Sequence, residues 1–266
     1  MKKTRQTERC VESFKPIPVS SPKDNPLLFF VRCLVDLQLK TIVDFLRPKL
    51  ESVSDNIVDI GAGNAPWRNF LPNGVRYVGL DVENAAEFHM RKNEDIVYYP
   101  GGVFPFSDNL FSTALCVEVL EHVPDTGVFL SEIFRCLKPG GQVLLTVPWS
   151  ARRHHLPHDY FRFTPEALFR LFTNSGFVDV EISERGNDFS VVFNKILCLV
   201  RDMFLPKRRL GLLLSIPVGL VLLPSCLFFF LAAHISLFLG VGSKIDPLGY
   251  ALRARKPHVG AMDALP

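Results

Sequence analysis

The stretch NIVDIGAGNAPW, residues 56–67, decides how the rest of the chain is read. Ile57, Val58 and Ile60 form a short apolar run that ends at Gly61 and Gly63, with Ala62 between them. That is the pattern of a buried strand stopping in a tight turn. Glycine is needed there because the backbone bends sharply and approaches a ligand with no Cβ in the way. Eighteen residues beyond Gly63, the run YVGLDV (77–82) ends in an acid, Asp81. A carboxylate at the tip of a second strand can accept both hydroxyls of a ribose, so the pair of strands points to a nucleoside site. The competing reading is a plain β–α turn with a surface aspartate. The third glycine of the dinucleotide fingerprint is absent, and Ala65-Pro66-Trp67 stands in its place. A loop that does not seat a pyrophosphate tolerates this, which favours a nucleoside without phosphates.

Outward from this stretch the rhythm continues. LFSTALCVEVL (110–120) and GQVLLTVPW (141–149) are further apolar runs, and a helical stretch from Thr126 to Leu137 separates them, ending at KPGG. Continuous apolar runs alternating with helices predict a parallel sheet covered on both faces. Upstream, apolar residues at helical spacing from Leu27 to Arg47 predict one amphipathic helix closed by Pro48. Downstream, Thr164, Pro165 and Gly176 mark the cap, first position and stop of another helix. VDVEIS (178–183) alternates as a half-covered strand should, and GYALRARK (249–256) is a candidate last strand. At 266 residues the chain suits one α/β domain with an insertion. A formal net charge of +3 argues against nucleic acid as a partner. Six scattered cysteines without a C-x-x-C pair fit a reducing compartment and free thiols. The basic opening MKKTRQTER lacks the apolar core of a signal peptide and reads as a solvated tail.

Taken in order, VDIGAG, YVGLDV, FPFSDNLF, CVEVLEHVPD and FRCLKPGGQVLLTVP resemble class I S-adenosylmethionine-dependent methyltransferases of the methyltransferase type 11 kind. The resemblance runs from about residue 55 to 183 and resumes at PLGYALRARKP (247–257). It implies a Rossmann-like seven-stranded mixed sheet of order 3-2-1-4-5-7-6, with the last strand antiparallel. It also implies that Gly61, Ala62 and Gly63 hold the methionine moiety with Asp59 nearby. Asp81 would hold the ribose, and Val117 and Glu118 would lie beside the amino group and sulfonium. The chain departs from the family at Pro100, where relatives often carry an aspartate against adenine, and at Ser112, where an aspartate often opens strand 4. Methyl transfer asks little of the protein beyond alignment and, for a hydroxyl acceptor, a base, because the sulfonium already activates the methyl.

EVLEH (118–122) gathers two carboxylates and an imidazole where this fold opens its site. Either Glu118 lines the cofactor pocket while Glu121 and His122 shape the next turn, or all three ligate a divalent cation, since carboxylate plus imidazole suits Mg²⁺, Mn²⁺ or Zn²⁺. An E-x-x-E-H of this kind is similar to the metal sites of ubiquinone-pathway O-methyltransferases and small-RNA 2′-O-methyltransferases. His154, His155 and His158 follow strand 5 on the same side of the sheet. His158 first, then His155, is a candidate base for an acceptor hydroxyl. One of these histidines could instead complete a metal site, and the further alternative is a structural corner at HDYFRF (158–163).

Residues 210–243 contain no Asp, Glu, Lys or Arg. A single crossing would strand the last β-strand on the wrong side of a bilayer, and two crossings need about forty residues. A hairpin broken at Pro217 or Pro224, or a helix pair in the interface, keeps Lys207–Arg209 and Lys244 at one surface. A buried cap or dimer face is the alternative, and a true span is a third. The expected organisation is a lead-in (1–25), a core (26–190), an apolar insertion (191–246), the last strand (247–257) and a tail (258–266). The expected activity is methylation, on oxygen, of an amphipathic acceptor at a cytoplasmic membrane surface. A quinone precursor, a lipid or a lipid-linked glycan would qualify. A non-catalytic cofactor-binding module and a metal-assisted RNA 2′-O-methyltransferase are the alternatives.

Overall fold

The computed structural model describes residues 22–23, 25–84, 93–205 and 209–258, with the backbone alone for 209–214. Most of the expected lead-in and tail, and Lys207 and Arg208, lie outside the described residues.

Seven strands form one sheet: β1 (Ile57–Ile60), β2 (Tyr77–Val82), β3 (Ile96–Tyr99), β4 (Phe111–Val117), β5 (Leu137–Pro148), β6 (Val178–Arg185) and β7 (Gly249–Arg255). Their order is β3-β2-β1-β4-β5-β7-β6, as expected. The first five pair in parallel and β7 runs antiparallel to both neighbours. Every residue of β1 is buried because its two faces feed two cores. Val58 and Ile60 pack with α3 (Thr126–Cys136) and α4 (Pro165–Asn174) through Leu130, Ile133, Leu168 and Phe172. Ile57 packs on the other face with Leu46 and Leu50 of α2 (Leu37–Leu50), alongside Leu115 and Leu144. Thr164 caps α4 by accepting from the Ala167 N–H, and Gly176 follows at φ +90°.

The helix expected over Leu27–Arg47 is two helices, α1 (Pro26–Val35) and α2. The break is Asp36, whose extended backbone lets its carboxylate accept from the Leu39 N–H at 3.1 Å and cap α2. Pro48 does not close α2. It forfeits one helical hydrogen bond, while complete burial of Leu46 and Leu50 contributes about 1.5–3 kcal/mol each and carries the helix through. β5 starts earlier than the glycines suggested, and its register against β4 shifts to absorb KPGG.

The apolar insertion is an antiparallel pair, α5 (Asp188–Phe204) and α6 (Arg209–Leu239). Phe193 stacks edge-on against Phe230, and Gly219 admits Met203 and Phe204. The helix runs unbroken through Pro217 and Pro224, so of the two arrangements considered the hairpin broken at a proline is absent and a pair of helices is present. At the neck, Asp188 N–H donates to the Ser243 carbonyl at 3.0 Å, and the Asn187 amide donates to Ser236 Oγ and the Val241 carbonyl. Cys226, Ala233 and Ser236 face inward, whereas Leu220, Leu227, Leu231, Ile235 and Phe238 form an exposed stripe at helical spacing. α1 lies alongside: His234 Nε2 donates to the Leu34 carbonyl at 2.8 Å. Leu27, Leu28, Phe30, Val31, Leu34 and Val35 of α1 are exposed as well.

Candidate active site

A cavity of about 890 Å³ opens at the C-terminal ends of β1, β2 and β4, lined by Gly61, Ala62, Gly63, Asp81, Val117 and Glu118. Gly61 has φ +72°, and a Cβ there would collide with Val119. The N–H groups of Gly61 and Ala62 both donate to the Leu80 carbonyl, folding the turn back on β2. Gly63 N–H donates to Asp81 Oδ2 at 2.8 Å and Val82 N–H donates to Oδ1 at 2.7 Å. Asp81 thus braces the glycine turn while facing the cavity, and burial pushes its carboxyl up from the ordinary range. Val82, Tyr99, Val123 and Phe129 supply apolar walls beside it.

Asp59 is not among the cavity-lining residues. It is buried on the α2 face of the sheet, where the Tyr77 hydroxyl donates to Oδ2 at 2.7 Å. Burial pushes its carboxyl up to about 7, against the Tyr77 bond, which favours the charged form. Tyr77 carried no signal beyond its place in an apolar strand. Ser112 sits at the far end of β4 from the cavity, where its Oγ donates to the Asn56 carbonyl at 2.8 Å. The departure from the family at Ser112 therefore lies remote from the cofactor loop. Pro100 lies outside the cavity lining too, next to Tyr99.

Glu118 directly follows β4 in the left-handed region at φ +54°. Its Oε1 accepts from Thr146 Oγ1 and from Arg185 Nη2, both at 2.8 Å. Arg185 is 3% exposed and also donates to the Val147 and Tyr250 carbonyls. Gly249 is required beside it, since a Cβ would strike Arg185 and the Val147 carbonyl. Neither Arg185 nor Gly249 announced itself in the sequence: one ends an amphipathic strand and the other begins the last one. Glu118 Oε1 is thus engaged by Arg185 and Thr146, while among the described residues the close cluster of possible ligand atoms is His122, His154 and His155.

Glu121 and His122 occupy a 3-10 turn (Leu120–His122) directly after β4. Glu121 is fully buried, neither carboxylate oxygen has a hydrogen-bond partner, and burial followed by the neighbouring Glu118 charge raises its carboxyl well above the usual range. Burial, with His154 beside it, lowers the His122 imidazole to about 4. His122, His154 and His155 all line the cavity. His158, the first candidate base, does not: its ring bonds the Tyr160 hydroxyl at 3.0 Å, and its carbonyl holds His122. The corner itself is structural, with Arg162 gripping both oxygens of Asp159 at 2.6 and 2.9 Å and His154 N–H donating to Oδ2. The cavity then continues outward between α1 and α5, past Val31, Arg32, Val35, Leu197 and Arg201.

The sequence profile of a methyltransferase domain family matches residues 34–182. With this match, the strand order and the glycine loop braced by Asp81, the chain belongs to that family and is a class I S-adenosylmethionine-dependent methyltransferase. It is 26% identical over 208 residues to a tRNA U34 carboxymethyltransferase of Nautilia profundicola, covering 70% of this chain and 67% of that one. It is 28% identical over 198 residues to a demethylmenaquinone methyltransferase of a Geobacillus species, covering 68% and 82%. The fold is that of an S-adenosylmethionine-dependent methyltransferase from Thermotoga maritima, described as a possible histamine N-methyltransferase (TM-score 0.50, 14% identity, 88% and 97% covered).

Proposed function

We propose that this enzyme methylates an oxygen of an amphipathic acceptor held at a membrane surface, such as a quinone precursor, a lipid or a lipid-linked glycan. One observation carries the reading. The cavity that begins at the glycine loop opens between α1 and α5, beside the exposed apolar residues of α1 and α6. Ser215–Leu239 is long and apolar enough to cross a bilayer. However, α6 packs along α5 and leads directly back to β7, in the same sheet as β6. A helix of 31 residues is about 46 Å long. Lys207 and Arg208 precede it and Lys244 follows it, so both flanks meet the headgroups of one leaflet only when α6 lies flat in the interface. No acidic residue occurs from Met203 to Ile245, which suits an anionic leaflet. In that pose the enzyme faces the cytosol, and α1 shares the same plane.

Within the cavity, Gly61–Gly63 and Asp81 would hold the cofactor, and the acceptor oxygen would approach from the histidine side. Of the two candidate bases, His158 lies off the cavity, whereas His155 lines it in a cluster with His122 and His154. A divalent cation beside Glu121 and His122 belongs to the same reading. The Geobacillus relative is named for a quinone substrate. The Nautilia relative is named for tRNA, which makes RNA the second reading.

Incubation with methyl-labelled cofactor, offering a membrane lipid extract and total RNA in parallel, separates the two. Label entering the organic phase is expected. Label confined to RNA would replace the proposal, and label in neither fraction, with S-adenosylhomocysteine still bound, would support a non-catalytic module.

A further inference from the structure

We propose that His122, His154 and His155, backed by Glu121, form a site for one divalent transition-metal ion of the zinc type. The argument rests on which ring nitrogens carry protons. His122 Nδ1 lies 2.8 Å from the His158 carbonyl, and His154 Nδ1 lies 3.0 Å from the Arg152 carbonyl. A carbonyl oxygen only accepts, so each Nδ1 is the donor and each neutral ring presents a lone pair at Nε2. Those two Nε2 atoms face each other at 3.2 Å. Two lone pairs so placed repel unless positive charge sits between them. A tetrahedral zinc ion, bound at about 2.0–2.1 Å per nitrogen, holds two imidazole nitrogens about 3.3 Å apart.

The surroundings agree. His155 brings a third nitrogen, and the ligand atoms of the three rings lie within 4.8 Å of one another. Glu121 Oε1 lies 3.6 Å from His122 Nε2 and 3.9 Å from His154 Nε2. It belongs to a fully buried carboxylate with no hydrogen-bond donor, which is costly without a cation nearby. Bonds from Nδ1 to backbone carbonyls are also how proteins fix the tautomer of metal-binding imidazoles. A nitrogen-rich set suits zinc and its neighbours, whereas Mg²⁺ requires oxygen ligands in an octahedron. The site therefore differs from the expected Glu118–Glu121–His122 set in its ligands, with zinc the one of the expected cations that it suits. Its role in transfer rests on the proposed function: on the acceptor side of the cavity, the ion would stabilise negative charge growing on an acceptor oxygen.

The test uses the full chain and needs neither cofactor nor acceptor, so it stands or falls apart from the methyl-transfer reading. Elemental analysis after chelation and reconstitution with Zn²⁺ is expected to give a single ion per chain. Substitution with Co²⁺ should give the intense visible bands of a four-coordinate site. Zn²⁺ should raise the melting temperature of the wild type. His122→Ala and His154→Ala should each weaken Zn²⁺ binding by more than about 100-fold, with circular dichroism unchanged. Absence of retained zinc, cobalt bands and thermal shift in the wild type would overturn the proposal and leave a proton shared by the two rings. So would zinc bound with equal affinity by both variants. If the variants fail to fold, the wild-type metal count and cobalt spectrum decide.

Discussion

Arg185→Met is the sharpest probe of how the cofactor end of the cavity is held. Methionine keeps much of the arginine's bulk but removes every donor. In the wild type the guanidinium is 3% exposed and 2.8 Å from Glu118 Oε1. A hydrogen bond between charged groups contributes roughly 1.5–3 kcal/mol. Breaking a buried ion pair from one side costs roughly 3–5 kcal/mol, because the other charge is left behind. Glu118 retains 24% side-chain exposure on the cavity side, so the lower end applies, about 3 kcal/mol. Urea denaturation should show that loss. Calorimetric titration should show weaker S-adenosylhomocysteine binding, since Glu118 holds φ +54° beside the cofactor loop. Glu118→Met with Arg185→Met should recover part of the loss, with a coupling of at least about 1.5 kcal/mol. Additive single effects, with coupling below about 0.5 kcal/mol, would refute the reasoning.

Gly61→Ala should weaken S-adenosylhomocysteine binding by at least about tenfold, roughly 1.4 kcal/mol. Adding Val119→Ala should restore only part of it, because the clash is relieved but φ +72° remains; full restoration would show that the backbone angle is immaterial. Asp59 has its folded carboxyl at about 7 against an ordinary 3.8. The folded state therefore holds a proton that the unfolded state has lost between those values. Its contribution is present at low pH and is lost as pH rises to about 7, a swing on the order of 4 kcal/mol. Asp59→Asn should remove that slope from chemical denaturation curves measured between pH 4 and 8, and an unchanged slope would count against it. Leu27→Asp on α1 and Phe238→Asp on α6 alter exposed positions. Each should reduce co-sedimentation with vesicles containing anionic lipid while leaving S-adenosylhomocysteine binding intact. Undiminished sedimentation of both would remove α1 and α6 from the membrane contact.

The glycine turn and Asp81 were legible because their chemistry is local: an apolar run, a bend and an acid at the tip of the next strand. Strand order came from the resemblance, since periodicity alone does not say that β7 slots between β5 and β6. The Glu118–Arg185 pair joins residues 67 positions apart and could not be read along the chain. His122 and His154 were both visible as histidines, but their facing nitrogens depend on two backbone carbonyls that only the folded loop supplies. Pro48 did not end its helix, and neither Pro217 nor Pro224 broke the later one, for one reason. Pro48, Pro217 and Pro224 each forfeit a backbone bond, and the sequence shows that cost without showing the packing that offsets it.

The neck of the α5–α6 hairpin has a bearing on inheritance. Asp188 N–H reaches the Ser243 carbonyl, so departure from the sheet and return to it occur side by side. With those ends joined, β6 and β7 experience a long excursion as a short loop, and the chain entropy of the excursion is settled within the hairpin itself. The outward face of α6 is then free to drift, lengthen or change its preferred surface without renegotiating the register of β7. A lineage could retune where such an enzyme rests while its cofactor loop stays as it is.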